Sequence, residues 1–298
     1  MIKNISNIKK SIDDHPWPDE KQYLKRCESF TALVPVYIND CLPDFKIAIK
    51  SVVLNTVTPN EILILQDGPV REDMSQFIEF LLAQFPNVVK TYARKENRGL
   101  GFTAAHGVEI ANNELIARID ADDISDVKRF EKQLRVFKKN NKLDIIGSNV
   151  AEFDELYNIY SYRTVPSNTN DIYKFSKMRS PFNHPSVMFK KEAVIKSGNY
   201  QEIDFMEDYD LWMRMISSGI IAENINEDLV YMRASNSMYS RRGGMKYIRA
   251  YVSFRYSLLK KGLISINEFG LSTTGIIFTS LVPVSLRKFI YGLILRRK

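Results

Sequence analysis

EILILQDGPVREDMSQFIEFLLAQFPNVVKTYA, residues 61–93, is the stretch whose reading decides the fold. It opens on an apolar run, residues 61–65, that reads as a buried strand and breaks at a turn carrying Asp67, Gly68 and Pro69. Residues 71–85 read as a helix and residues 88–93 as a second strand. The alternation extends both ways. Upstream, FTALVPVY (30–37) is a short run rich in β-formers, and LPDFKIAIKSVVLN (42–55) has helical spacing at Phe45, Ile49, Val52 and Val53. Downstream, FTAAHGVEIAN (102–112) reads as a helix and ELIARI (114–119) as a strand. Strands alternating with helices in this way imply an α/β fold whose parallel sheet is covered on both faces. Ligands of such sheets bind beyond the carboxyl ends of the strands. After residue 143 the pattern becomes mixed. DIIGSNV, NIYSYRTV and PSVMFK read as strands, EDYDLWMRMISSG as a helix that stops at Gly219, and the chain from Met245 onward as helical and basic. No internal repeat or low-complexity linker interrupts it. The expected organisation is an extension over 1–28, a catalytic domain over 29–242, and a basic helical extension over 243–298 that meets a membrane.

Composition narrows the class. The chain has 298 residues, 45% of them hydrophobic, which excludes an acidic disordered tail, a collagenous repeat and a disulfide-stapled miniprotein. Two cysteines, Cys27 and Cys41, suit ordinary thiols in a reducing compartment. The start has no apolar run, so no secretory signal is expected. The formal charge of +7 is unevenly placed: residues 241–298 carry twelve basic side chains against Glu268 alone, +11, and residues 1–240 carry −4. A mildly acidic body with a basic, aromatic end suits an anionic surface met in one orientation. GIIFTSLVPV (275–284) is apolar for about ten residues, and a span needs roughly 20. It reads either as a buried helix broken by Pro283 or as a helix lying in the headgroup layer, with Arg287, Lys288, Arg296, Arg297 and Lys298 facing anionic lipid.

Three constellations carry chemistry. In RIDADD, Asp120 and Asp122 share a face at the end of an apolar strand, because extended side chains repeat every second residue. Two carboxylates held together suit a hard divalent cation, Mn²⁺ or Mg²⁺, which takes one or two carboxylates and completes its shell with phosphate and water. The plain alternative is an acidic turn in which Asp123 or Ser125 caps the next helix. In NRGLGFTAAHG, Gly99 and Gly101 allow close backbone approach at a helix start, where free N–H groups hold an anion or a base edge. In FMEDYDLWMRM, Glu207, Asp208 and Asp210 crowd the first turn of a helix. The dipole favours acids there, and crowding also raises one carboxylate's pKa towards that of a general base. His184 precedes a strand and is either structural or functional.

Taken in order, Pro35-Val36-Tyr37, Asp67-Gly68, Asn97-x-Gly99-Leu100-Gly101, Asp120-x-Asp122-Asp123, His184-Pro185-Ser186 and Glu207-Asp208-Tyr209-x-Leu211-Trp212 resemble the family 2 inverting glycosyltransferases. Within that family the likeness is to bacterial O-antigen, capsule and exopolysaccharide enzymes, over residues 30–242. The resemblance implies a GT-A fold, a Rossmann-like nucleotide-binding mixed sheet flanked by helices. It implies that Pro35 and Tyr37 flank the uracil of a UDP-sugar, that Asp67 bonds the uracil edge, and that Asn97 and Gly99 lie nearby. By the same likeness Asp120 contacts ribose or metal-bound water, Asp122 ligates Mn²⁺ or Mg²⁺ on the diphosphate, and Arg118 assists with charge. Asp208 is then the base that deprotonates the acceptor hydroxyl, with Glu207 positioning acceptor or base. His184, Trp212, Arg233, Arg241 and Arg242 fall around the diphosphate or acceptor. Gln66 and His106 depart from the family pattern, where an acid and an Asn are common.

The activity so implied is inverting transfer from UDP-Gal, UDP-Glc or UDP-GlcNAc to a hydroxyl of a polyprenyl-diphosphate-linked saccharide. The product so implied is a β-linkage to a 3-hydroxyl, made during lipopolysaccharide or capsule biosynthesis on the cytoplasmic face of the inner membrane. Two rivals stand beside it. A sugar-phosphate nucleotidyltransferase shares the sheet, glycine turn and metal carboxylates but has no use for the helix-start Glu207-Asp208 pair. A nucleic-acid binder spreads positive charge over its binding face, whereas the strand-end loops here carry Asp67, Asp120, Asp122 and Asp123, so no nucleic-acid partner is expected.

Overall fold

The computed structural model describes residues 5–234 and 243–283. Among the described residues nine strands form one sheet: β1 (Cys27–Val36), β2 (Thr58–Gln66), β3 (Val89–Ala93), β4 (Leu115–Arg118), β5 (Ile124–Ser125), β6 (Ile145–Phe153), β7 (Ile159–Arg163), β8 (Met188–Lys190) and β9 (Ala222–Arg233). Their order is β3-β2-β1-β4-β8-β6-β9-β5, with β7 paired to β6. The first four are parallel. β8 then runs antiparallel between β4 and β6, which makes the whole sheet mixed.

Helices α1 (Ser6–Asp14), α2 (Glu20–Leu24), α3 (Leu42–Val53), α4 (Glu72–Gln84), α5 (Leu100–Ile110), α6 (Arg129–Lys139), α7 (Thr169–Ser176), α8 (Lys191–Lys196) and α9 (Glu207–Ser217) flank the sheet. The helices α10 (Gly244–Lys260) and α11 (Ile266–Leu281) follow. β1 shows why both faces are covered. Phe30, Ala32, Val34 and Val36 enter one core with Phe45, Phe77 and Phe130 of α3, α4 and α6, while Leu33 enters the other with Ala104, Val108 and Leu211 of α5 and α9. The period of two sorts one strand's residues between two layers, each buried side chain contributing about 1.5–3 kcal/mol.

Several boundaries move from the sequence reading. Neither Asp123 nor Ser125 caps a helix: Ser125 lies in β5 and α6 begins only at Arg129. α5 starts at Leu100 with Gly99 as its N-cap, two residues earlier than expected, so Gly101 falls in its first turn. Gly219 does end α9, at φ +81°, a left-handed position that glycine takes without strain. β9 carries no apolar alternation in its first half, and the sequence does not mark it.

The two ends are built into the same body. Tyr23 is fully buried and donates to the Pro59 carbonyl at 2.6 Å, and Ile5 and Ile12 pack with Ile47, Ile124 and Phe153. Tyr247, Tyr251, Phe254 and Leu258 of α10 pack on Met206, Tyr209 and Met213 at the start of α9. α11 is not a buried helix: Leu271, Phe278 and Leu281 are each more than 60% exposed. Among the described residues no helix is long and apolar enough to cross a membrane.

Candidate active site

The carboxyl ends of β1, β2 and β4 lie side by side, as the parallel register requires. At the first, Pro35 is buried opposite Leu65, and the Tyr37 N–H donates to Asp40 at 2.9 Å. At the second, Asp67 is buried, and its two carboxylate oxygens accept the N–H groups of Arg98 and Gly99, each at 2.9 Å. Asn97 returns the contact by donating its side-chain amide to the Asp67 carbonyl at 3.0 Å. Asp67 therefore holds the glycine turn at the head of α5, and Asn97 and Gly99 lie against it.

At the third, β4 delivers Arg118 almost fully buried, its guanidinium 2.6 Å from Asp120. A second buried arginine, Arg129, supports this turn by donating to the Arg118 carbonyl at 2.8 Å and to Ser125 at 3.1 Å. Asp122 follows. Burial first, then the negative charges of Asp120, Asp40 and Asp44, push it up to about 7 against the pull of Arg233. Asp123 is buried; one of its oxygens accepts the Arg233 N–H at 2.8 Å, and the other has no hydrogen-bond partner among the described residues. Burial and Asp122 drive its pKa well upward.

This donor set fits a hard divalent cation. The oxygens are carboxylates, they repel one another, and positive charge placed among them would relieve the cost that raises Asp122. Among the described residues no group of three or more His, Cys, Asp or Glu side chains comes together to hold a metal. Phosphate oxygens and water complete such a shell when the protein offers one or two carboxylates.

α9 brings the second acidic pair to the same place. Glu207 is pushed up to about 7, by burial first and Asp208 second, while Arg118 opposes the shift and Asp120 adds to it. Asp208 accepts the Tyr209 N–H at 2.7 Å and keeps some exposure. His184 faces the same charges. Burial first and Arg118 next lower it to about 4, so the imidazole is neutral at physiological pH, with Nε2 2.9 Å from the Tyr200 hydroxyl. Arg118 thus lies within electrostatic reach of Asp120, Glu207 and His184 at once.

Trp212 is placed otherwise than expected, and Arg233 lies beside Asp122 with its side chain held by other partners. Trp212 is fully buried among Phe182, His184, Phe189 and Tyr200, with ring centroids 5.4–6.5 Å away. It backs His184 and is not exposed to an acceptor, a correction that follows from the second face of α9 being core. The Arg233 side chain is committed to Asp44 at 2.5 Å, Glu155 at 3.1 Å and the Tyr157 hydroxyl at 3.2 Å. Arg241 and Arg242 lie outside the described residues. Sequence reading missed Asp40, Asp44, Arg129 and Tyr200, which carry no motif. Arg255, one of the twelve basic residues counted in the C-terminal end, is fully buried. Its place was visible in the spacing: Arg255 stands four residues after Tyr251 and three before Leu258, on the apolar face of α10.

Residues 31–203 match the family described as Glycosyl transferase family 2. A relative from Escherichia coli, named UDP-Gal:alpha-D-GlcNAc-diphosphoundecaprenol beta-1,3-galactosyltransferase, is 35% identical over 90% of this chain and 97% of its own length. The amylovoran biosynthesis glycosyltransferase AmsE of Erwinia amylovora is 32% identical over 88% of this chain and 97% of its own. Among solved structures, the mannosyltransferase PcManGT from Pyrobaculum calidifontis, in complex with GDP-Man and Mn²⁺, superposes with a TM-score of 0.59 at 12% identity, covering 96% of this chain and 81% of its own. That likeness shows the fold, and the fold is GT-A.

Proposed function

The chain belongs to glycosyl transferase family 2, and from that premise we propose that it transfers galactose from UDP-Gal, with inversion, to a polyprenyl-diphosphate-linked saccharide. The observation that carries this reading is that Glu207, next to Asp208, lies within electrostatic reach of the buried Arg118–Asp120 pair, with Asp122 beside Asp120. Asp120 with Asp122 suits a metal on the donor diphosphate; Glu207 with Asp208 suits a proton acceptor beneath the incoming hydroxyl.

Asp120 and Asp122 would hold Mn²⁺ or Mg²⁺, which when bound neutralises charge on the departing nucleoside diphosphate. Pro35 and Tyr37 would enclose the uracil, and the turn that Asp67 organises, with Asn97 and Gly99, would border it. Asp208 takes the proton from the acceptor hydroxyl as that oxygen attacks the anomeric carbon from the face opposite UDP. Glu207, pushed up to about 7, is part protonated near neutrality and in that form donates a hydrogen bond to the acceptor or to Asp208. Neutral His184 offers its remaining ring nitrogen without adding charge. An α-linked UDP-sugar then yields a β-linkage, to a 3-hydroxyl by analogy with the Escherichia coli relative's name.

The acceptor's lipid places the reaction at a membrane surface on the cytoplasmic side. Support for docking there comes from α11, which exposes Ile266, Leu271, Phe278 and Leu281 and has no charged residue after Glu268, followed in sequence by Arg287, Lys288 and the terminal Arg296-Arg297-Lys298.

The test is incubation of the full chain with Mn²⁺, a synthetic α-GlcNAc diphospholipid, and UDP-Gal, UDP-Glc or UDP-GlcNAc in parallel. A β-1,3-galactosylated product, identified by NMR, is the expected result. Transfer from UDP-Glc or UDP-GlcNAc alone would change the donor, and no transfer from any of the three would remove the reading.

A further inference from the structure

α10 carries a buried cation with no acidic partner among the ion pairs of the described residues. Arg255 is fully buried, and its guanidinium meets neutral acceptors: the Tyr209 hydroxyl at 3.0 Å, the Lys177 carbonyl at 2.6 Å and the Glu268 carbonyl at 3.1 Å. A buried charge met by two carbonyls and a hydroxyl is costly unless a field compensates it, and the Glu268 carboxylate, whose pKa Arg255 helps to lower, supplies part of that field. Ser176 ends α7 and Lys177 is its C-cap, so the guanidinium sits at the negative end of that helix. Tyr209 completes the arrangement by donating its hydroxyl to the Ser176 carbonyl at 2.5 Å while accepting from Arg255.

Tyr209 is also the residue after Asp208, and its backbone N–H is the donor that the Asp208 carboxylate accepts. The phenol is anchored at one end of a rigid buried side chain, and the amide at the other end holds the carboxylate. Phe254 packs against the ring at 5.0 Å, which leaves it little freedom to turn. Arg255 thereby ties the end of α7, the first turn of α9 and the first turn of α11 to one another.

We propose that Arg255 is a positioning residue for the proton acceptor: through Tyr209 it sets the first turn of α9, and with it Asp208, at the distance the acceptor hydroxyl requires. The C-terminal helical pair is then part of the catalytic architecture as well as a surface that meets the membrane. Misplacement of a reacting group by about 1 Å costs on the order of 10²-fold in rate, so loosening this tie lowers turnover without touching the nucleotide. The proposal rests on the glycosyl transfer reading above.

The experiment compares Arg255→Met, Arg255→Lys and Tyr209→Phe in the full chain, with UDP-Gal, Mn²⁺ and the α-GlcNAc diphospholipid at saturation. Arg255→Met and Tyr209→Phe each lose about 10- to 100-fold in kcat per folded enzyme and keep the donor KM within about twofold. Arg255→Lys, which keeps the charge and reaches fewer acceptors, recovers part of the loss. Should Arg255→Met not fold, Tyr209→Phe decides alone, because it retains the buried ring. An unchanged kcat in either folded variant, or a loss shared equally by donor KM, overturns the proposal. A wild-type chain that transfers no sugar removes the functional reading instead, so the two failures are distinct.

Discussion

A Cβ placed on Gly101 would stand 3.3 Å from the Cβ of Glu207 and 2.4 Å from the Gln201 carbonyl oxygen. The first turn of α5 and the first turn of α9 therefore meet backbone to side chain, across more than a hundred residues of sequence. The contact brings the glycine turn that Asp67 organises up against the acidic turn that carries Asp208.

Gly101→Ala tests that contact. The carbonyl cannot yield as a flexible side chain would, so one helix start must move, at a cost of about 1–3 kcal/mol. The expected readings are a fall in Tm of several degrees and a loss of kcat larger than any change in UDP affinity. An unchanged Tm would show that the Gln201 loop gives way freely.

Asp122→Ala removes a carboxylate from the set that suits a divalent cation. Calorimetry with UDP should show at least about a tenfold loss of affinity when Mn²⁺ is present, equal to a change of about 1.4 kcal/mol. Without metal the variant and the wild type should bind alike. Equal affinities in Mn²⁺ would count against Asp122 as a ligand.

Asp208→Asn keeps shape and removes proton-accepting capacity. Turnover should fall by about 10²–10⁴-fold, the range for a general base, while UDP affinity stays within about twofold. Retention of wild-type kcat would take the base role from Asp208.

Glu207 makes a prediction about pH. Its pKa in the folded chain is about 7, above the 4.5 of an ordinary glutamate. The folded state therefore binds the proton more tightly than the unfolded one. The stability this contributes is complete below pH 4.5 and is lost as pH rises through 7. Glu207→Gln, which mimics the protonated form, should gain about 1–2 kcal/mol over wild type at pH 8, allowing for partial solvent screening. The gain should vanish near pH 4.5. Parallel Tm curves across that range would mean that the carboxylate is not held in its acid form.

The surface role of the C-terminal end calls for a cut that spares α10, since Arg255 and Phe254 belong to the core around Tyr209. Truncation after Pro283 removes the last basic residues and leaves both helices. Sedimentation with phosphatidylglycerol vesicles should then weaken at least about tenfold, and Leu271→Asp with Phe278→Asp should weaken it further. Unaltered sedimentation in both would remove the membrane from the tasks of this segment.

Much of the architecture at the strand ends was legible because its signals are local. An apolar run ending in RIDADD places Asp120 and Asp122 on one face by strand geometry alone, and QDG and NRGLG mark turns by the demands of glycine. β9 was not legible: its polar first half shows no alternation, and it is held by pairing with β6 over nine residues. Trp212 misled for a related reason. A side chain's class suggests where it should go, but whether an indole or a guanidinium is buried depends on partners that arrive from elsewhere in the chain.

The sequence by itself determined the alternation of strands and helices, the family, and the residue types offered at each strand end, since periods of 2 and 3.6 and the turn residues act over a few positions. Only the tertiary structure decided which carboxylates share a field. Arg118 and Asp120 act through space on both Glu207 and His184, Asp120, Asp40 and Arg233 act on Asp122, and burial is the first cause of each shift. That field exists only once the segment before β8 and the head of α9 have been packed against the carboxyl end of β4.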